Sequence, residues 1–235
     1  DENLLQAETY RALGVVCRRL GEKEEAQKYF KEATKAAEIA INLIKSRKYP
    51  KRTKDVIIAT YDMMPLRVIS DVHYSHGYYW YEQKEFEKAE ELFELSIKAI
   101  KDTGEEWEWD APYTRLAIIK LLSGQVDESR ELFLKARQIC QYTDPAKNRE
   151  SSLGLALCTL GLKVIESITK QSLTIADPIN DLKNALQMHP PLSLGPLICH
   201  LHDTENIALR SPPQTKEIVS EFITLLKNEI DKLKR

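Results

Sequence analysis

The sequence predicts an all-α protein, a stack of antiparallel helical hairpins closed by a capping helix at its C-terminal end. Three observations predict it. Glycine is scarce, at 8 of 235 residues, while Ala, Leu, Glu and Lys dominate the first half, a bias toward straight-chain helix formers over β-branched strand formers. Apolar residues recur at steps of three and four through most of the chain. One spacing of small and aromatic residues also occurs three times within residues 1–145.

The composition bounds the class. Hydrophobic residues make up 43% and charged residues 30%, too apolar for a disordered chain. A formal net charge of -2 gives no overall field to attract nucleic acid or an anionic membrane. Cys17, Cys140, Cys158 and Cys199 form no C-x-x-C pair and no small-domain disulfide framework, so a reducing, cytoplasmic setting is expected. No run of about 18 apolar residues is apparent that would span a bilayer, and residues 1–10 lack the basic start and apolar middle of a signal peptide, so no membrane association is expected. The chain opens without Met, directly in helix-forming sequence, which suggests a domain of a larger protein.

The first hairpin is written in Tyr10, Leu13-Gly14, Cys17, Ala26, Phe30 and Ala33. The second repeats that spacing as His73, His76-Gly77, Trp80, Ala89, Phe93 and Ser96, and the third as Tyr113, Leu116-Ala117, Lys120, Ser129, Phe133 and Ala136. Small residues at Gly14, Gly77, Ala26 and Ala89 let two helices approach closely. Each phenylalanine follows its small residue by four, shares its face and wedges into the next hairpin. Polar turns at 20–22, 83–85 and 123–125 separate the helices, and Gly21 and Gly124 can adopt the left-handed conformation that ends a helix.

Phe30, Ala33, Ala37, Ile41 and Ile44 keep the helical step and carry the second helix to about Lys45. A basic loop follows over residues 45–54, with Pro50 inside it. The apolar segment Val56–Met64, ending at Pro65, is a short helix or the leading turn of the next long one. Leu153, Leu157, Leu160, Val164 and Ile168 form a further stripe whose other face, Leu155, Ala156, Cys158 and Leu162, is apolar too, so that helix is buried on more than one side. Asp177-Pro178 caps a helix carrying Ile179, Leu182, Ala185 and Leu186, and Pro190-Pro191 stops it. Ser211-Pro212-Pro213-Gln214 fits a capping box, and Ile218, Phe222, Leu225, Leu226 and Leu233 give the last helix one apolar face.

The three copies resemble tetratricopeptide repeats, whose pattern is Trp-x2-Leu-Gly-x2-Tyr, then Ala, Phe and a closing Pro. Ala117 stands for the usual glycine, Ser129 for the usual alanine, and no copy has its proline in place. Gly14 and Gly77 are 63 residues apart, and Gly77 and Ala117 are 40 apart, where the family period is about 34. The resemblance implies a solenoid of tetratricopeptide type with irregular, lengthened repeats: three hairpins over residues 1–145, and further helices over 146–235 that continue or cap the stack.

Catalytic motifs are not apparent: the sequence has no G-x-G-x-x-G, phosphate loop, H-E-x-x-H or G-x-S-x-G. No enzyme activity, metal or cofactor is expected. His73 and His76, with Asp71 nearby, occupy positions where the other copies put Tyr10 and Leu13 or Tyr113 and Leu116, so a structural role accounts for them. Cys199, His200, His202 and Asp203 are too nearly adjacent to converge from one helix.

In such a stack the first helix of each hairpin lines an inner face. The register places Glu8, Arg11, Ala12, Val15, Arg18 and Arg19 there in the first copy, Asp71, Tyr74, Ser75, Tyr78, Tyr81 and Glu82 in the second, and Thr114, Arg115, Ile118, Leu121 and Leu122 in the third. Tyrosine and arginine combine apolar area with a polar end, so Arg11, Arg18, Tyr74, Tyr78, Tyr81 and Arg115 are the expected contacts for a protein or peptide partner. Tetratricopeptide proteins that grip acidic peptide termini use a lysine and asparagine clamp, which these positions lack. Two other readings remain: a regulatory repeat domain of a larger protein, and contact with an acidic partner or nucleic acid through Lys45, Arg47, Lys48, Lys51, Arg52 and Lys54. Phosphate binding normally needs several basic clusters on one surface, which ranks a protein partner ahead of nucleic acid. Oligomeric state and partner identity are left open by the sequence.

Overall fold

The computed structural model describes residues 2–46, 56–103, 109–142, 149–171, 176–188 and 193–234. Among them are ten α-helices, one 3-10 turn and no strand. The chain divides into two compact units, Asp1–Glu106 and Trp107–Arg235.

The N-terminal unit holds two hairpins, α1 (Glu2–Leu20) with α2 (Lys23–Ser46) and α3 (Val56–Glu82) with α4 (Phe86–Thr103). Both turns close alike. Gly21, at φ +80°, donates its N–H to the Arg18 carbonyl (3.1 Å), and the Glu22 N–H reaches the Cys17 carbonyl (2.9 Å). In the second turn Lys84 takes the same left-handed conformation, φ 65°, with its N–H on the Tyr81 carbonyl and the Glu85 N–H on the Trp80 carbonyl. These bonds satisfy carbonyls the helix end would otherwise leave bare. The segment from Val56 is the leading part of one helix of 27 residues, which runs through Pro65 without a break.

Phe30 and Phe93 are fully buried, as their spacing requires. A methyl group on Gly14 would lie 2.8 Å from the Phe30 ring, and one on Gly77 would lie 3.0 Å from the Phe93 ring, so both glycines are present for close approach. Phe30 also packs on the next hairpin, with ring centroids 5.7 Å from His76 and 5.6 Å from Tyr79. A second cluster joins Ala7 of α1, Ala33, Ala36 and Ala37 of α2, Ile69 and Val72 of α3, and Ala99 of α4.

The C-terminal unit contains three successive helix pairs: α5 (Ala111–Leu122) with α6 (Val126–Tyr142), α7 (Arg149–Thr169) with α8 (Pro178–Gln187), and α9 (Leu194–Ala208) with α10 (Lys216–Leu233). Helix α5 is buried from Pro112 to Leu121. The Ser129 hydroxyl donates to the Ala117 carbonyl at 2.7 Å, so the departure from alanine ties α6 to α5 by a buried hydrogen bond. Fully buried Phe133 lies over Gly161 of α7, in contact so close that any side chain there would enter its ring. Leu160-Gly161 thus supplies to the next helix pair the small residue that Gly14 and Gly77 supply within their own.

Helix α7 is buried on both expected faces, through Leu153, Ala156, Leu157, Cys158, Leu160, Leu162 and Val164. Contrary to the expectation that no such run exists, Glu150–Thr169 is long and apolar enough to cross a membrane by length and composition. It is 61% buried, packing against α6, α8 and α9. Asp177 caps α8 as expected, accepting the Ile179 N–H at 3.0 Å. Pro190 and Pro191 lie outside the described residues. The capping box expected at Ser211 is not formed. Ser211 donates back to the Ile207 carbonyl (3.0 Å), residues Pro213–Thr215 make a 3-10 turn, and α10 starts at Lys216. Two prolines in succession space the chain too far for Ser211 to reach the first turn of α10.

Candidate interaction site

Three of the six expected contact residues, Arg11, Arg18 and Tyr78, meet where α1 and α3 run side by side. Arg11 donates from Nε to Glu8 Oε2 (2.7 Å), forms a second bond from its terminal nitrogen to the same carboxylate, and reaches Ser75 Oγ at 3.4 Å. The hydrogen bond to Glu8 raises the already basic guanidinium further. Arg18 donates to Glu82 Oε1 at 2.6 Å, with its guanidinium carbon 4.9 Å from the Tyr78 ring centroid. Asp71 lies within electrostatic reach of Arg11 and Arg67, and burial pushes its carboxyl above the usual range. Both cross-helix arginine contacts span 64 residues. The repeat offset of 63, read one residue on, is therefore the signal that could have paired Arg18 with Glu82 in advance.

The tyrosine stripe does not face outward as expected. Tyr78 is 4% exposed and Tyr81 fully buried, while Tyr74 is half-buried. Tyr81 meets Phe86 edge-on (5.8 Å) and Phe93 (6.2 Å), Tyr78 packs on Tyr74 (6.3 Å) and Tyr81 (6.0 Å), and Tyr74 lies 5.9 Å from Phe93. Helix α3 from Val72 to Tyr81 is covered on nearly every side, so the face expected to be open is core.

Arg115 likewise lies inside. Its guanidinium pairs with Asp203 of α9 at 3.1 Å, the two side chains being 5% and 1% exposed. Arg115 also donates to the Ala111 carbonyl (3.3 Å). Asp110 and His200 sit within electrostatic reach of this pair. Burial raises the Asp110 carboxyl and lowers the His200 imidazole, so the two tend toward neutrality around the ion pair. Thr114 meets Cys158 at 3.6 Å, and the hydrogen bond between Cys140 and Cys158, together with burial, pushes the Cys140 thiol far up. Nothing in the local sequence of either helix announces Asp203 as the partner of Arg115.

His73 and His76 are both buried in α3. His76 Nε2 accepts from Trp80 Nε1 at 3.0 Å and its Nδ1 is 3.0 Å from Thr34 Oγ1, whose own proton goes to the Phe30 carbonyl. That chain fixes His76 as the neutral Nδ1–H tautomer and leaves no ring nitrogen for a metal. Burial lowers both His73 and His76 to about 4. No group of three or more metal-ligating side chains converges among the described residues. Lys45 falls in the last turn of α2, and Arg47, Lys48, Lys51, Arg52 and Lys54 lie outside the described residues.

Paired helices with close-packing glycines, aromatic wedges and partly exposed charged side chains between first helices define a helical-repeat fold. The tetratricopeptide repeat family model matches at residues 7–38, so that segment is similar to a tetratricopeptide repeat. No curated protein gives a match. A solved structure, BtubC (BKLC) from P. vanneervenii, aligns over 97% of this chain and 78% of its own length, at 15% identity and a TM-score of 0.50. At that identity the likeness concerns the fold alone.

Proposed function

We propose that the N-terminal unit holds a segment of a partner protein along the seam between α1 and α3, with Arg11, Arg18 and Tyr74 as its contacts. The observation that carries this reading is the spacing and partial exposure of the two arginines. They project one heptad apart from α1, are held in place by Glu8 and Glu82, and keep 25% and 17% of their side chains accessible. Prepaid ordering of long side chains favours binding. Arg11, Arg18 and Arg67 stand against Glu8, Asp71 and Glu82, so the seam is balanced in charge. That balance favours a polar or mixed-charge segment over an acidic tail. The four free cysteines support a reducing, cytoplasmic setting.

The test selects peptides from a random phage-displayed library on the full chain and measures their affinity for variants. Arg11→Ala should weaken the selected peptides about tenfold while changing the melting temperature little, and Tyr74→Ala should weaken them while also lowering the melting temperature, because its ring packs on Tyr78 and Phe93. Peptides that bind both variants as tightly as the unaltered chain would remove the seam from consideration.

A further inference from the structure

From α2 to α3, and again from α6 to α7, the second helix of one hairpin packs on the first helix of the next. The last pair departs from this order. Helix α9 packs on α5 and α7, and it is α10 that meets α8. Helix α9 therefore lies across two first helices, the elements that line the binding surface of a repeat stack.

Two polar contacts set α9 along α5 in one register. Asp203 pairs with Arg115 at 3.1 Å, and Arg210, just past the end of α9, donates from Nε and a terminal nitrogen to the Leu122 carbonyl at 3.0 and 2.6 Å. Seven residues separate the two contacts on each helix, so α9 and α5 run in the same direction and in step. Arg115, expected to meet a partner, meets α9 instead.

The buried face of α9 is unlike that of a core helix. Asp203, Thr204 and Asn206 are polar and only Leu197 and Ile207 apolar, whereas the buried residues of α10, Val219, Phe222, Leu226 and Ile230, are all apolar. Polar groups withdrawn from water return little stability even when paired, and a buried ion pair selects which helix fits more than it strengthens the fit.

We propose that the α5–α7 face is a helix-docking site of the C-terminal unit, occupied in this structure by the chain's own α9, and that it admits a partner helix when α9 and α10 withdraw together. The partner helix carries an acidic residue opposite Arg115, with aliphatic residues six positions before it and four after, the spacing of Leu197, Asp203 and Ile207. This site lies in a different unit from the α1–α3 seam, so each stands without the other.

Native-state hydrogen exchange of the full chain reads the withdrawal. The amides of α9 and α10 should exchange together, at least about a hundredfold faster than those of α5 and α7, through an opening that leaves the remaining helices protected. A labelled peptide of residues 193–235 then probes the vacated face by fluorescence anisotropy. It should bind the Arg210→Ala and Asp203→Lys chains at least about tenfold more tightly than the unaltered chain, because each variant weakens the resident helix. Arg210 is exposed, so its variant keeps the test open if the buried Asp203→Lys fails to fold. Equal protection of α9, α5 and α7 overturns the proposal by making α9 a permanent part of the core. So does a natural peptide that binds all chains alike or none, or one that binds no more tightly than a peptide carrying Asp203→Lys, since Arg115 would then select nothing. Dimerisation of Arg210→Ala in sedimentation equilibrium without a gain in peptide binding also overturns it, by giving the face to α9 of a second copy.

Discussion

Arg11, Arg18 and Arg115 are chemically alike and each lies on the first helix of its hairpin, yet burial gives them different work. Arg11 and Arg18 remain partly accessible beside their carboxylates, whereas Arg115 and Asp203 are almost wholly removed from water. Breaking a buried pair by removing one partner leaves a bare charge in the interior, so Arg115→Ala should cost about 3–5 kcal/mol, while Arg115→Met with Asp203→Leu should cost far less. Urea unfolding of both variants checks this, and a mild single variant would show that water reaches the pair. The histidines give a pH signature. In the unfolded chain each titrates near its ordinary value of about 6.5, and in the fold burial holds both to about 4. As pH falls below the unfolded value the unfolded chain takes up protons first. Stability is thus complete above that value and is lost progressively down to the folded one, by on the order of 3 kcal/mol per histidine. Asp71, Asp110 and Asp181, raised chiefly by burial, act in the opposite direction. The contribution of His76 is therefore read as a difference: the melting temperature should fall more steeply between pH 6.5 and 4.5 in the unaltered chain than in His76→Gln, whose amide can keep both hydrogen bonds. Equal slopes would mean that His76 carries its proton in the fold.

At the scale of elements, the same hydrogen-bonded closure ends α1, α3 and α5, but with different residues at its left-handed position. Gly21 and Gly124 adopt it freely, whereas Lys84 places its Cβ against the following carbonyl. Replacing Lys84 by Gly should raise stability by about 0.5–1 kcal/mol, the relief of strain exceeding the extra freedom glycine has when unfolded. The denaturation midpoint should rise with its slope unchanged. A fall in the midpoint would mean that the Lys84 side chain contributes more than its backbone loses. The phenylalanine wedges obey a similar economy of space. In the first two hairpins the ring sits on a glycine of its own partner helix, and in the third, where Ala117 fills that place, Phe133 sits on Gly161 of the following helix instead.

Across the whole molecule, the two compact units are each assembled from hairpins that contact their neighbours in sequence. Repeat arrays of this kind derive stability from each hairpin and from the interface with the next. The C-terminal unit holds an apolar interior of its own in Leu153, Leu157, Leu160, Leu182, Leu197, Ile207, Phe222 and Leu226. A fragment of residues 107–235 should therefore fold alone, giving a helical circular dichroism spectrum and a cooperative thermal transition. A non-cooperative melt would mean that its interior depends on the N-terminal unit.

Much of this could be read in the sequence, because helical period, turn chemistry and the small-residue and phenylalanine spacing act over a few residues. They determined the all-α class, the first six helices, the left-handed turns at Gly21 and Gly124 and the buried wedges. The third helix pair of the C-terminal unit was harder to see, since it lacks the repeat motif and its proline-rich start replaces the expected capping box with a 3-10 turn. Which side of a helix remains open was beyond the sequence altogether. The period of 3.6 residues groups Tyr74, Tyr78 and Tyr81 on one face without saying what lies opposite, and it was the placement of Phe86 and Phe93 that made two of them core. Arg115 joined the interior for the same kind of reason, a carboxylate 88 residues away brought within 3.1 Å by packing alone. Burial depends on neighbours that are distant along the chain, and only the tertiary structure supplies them.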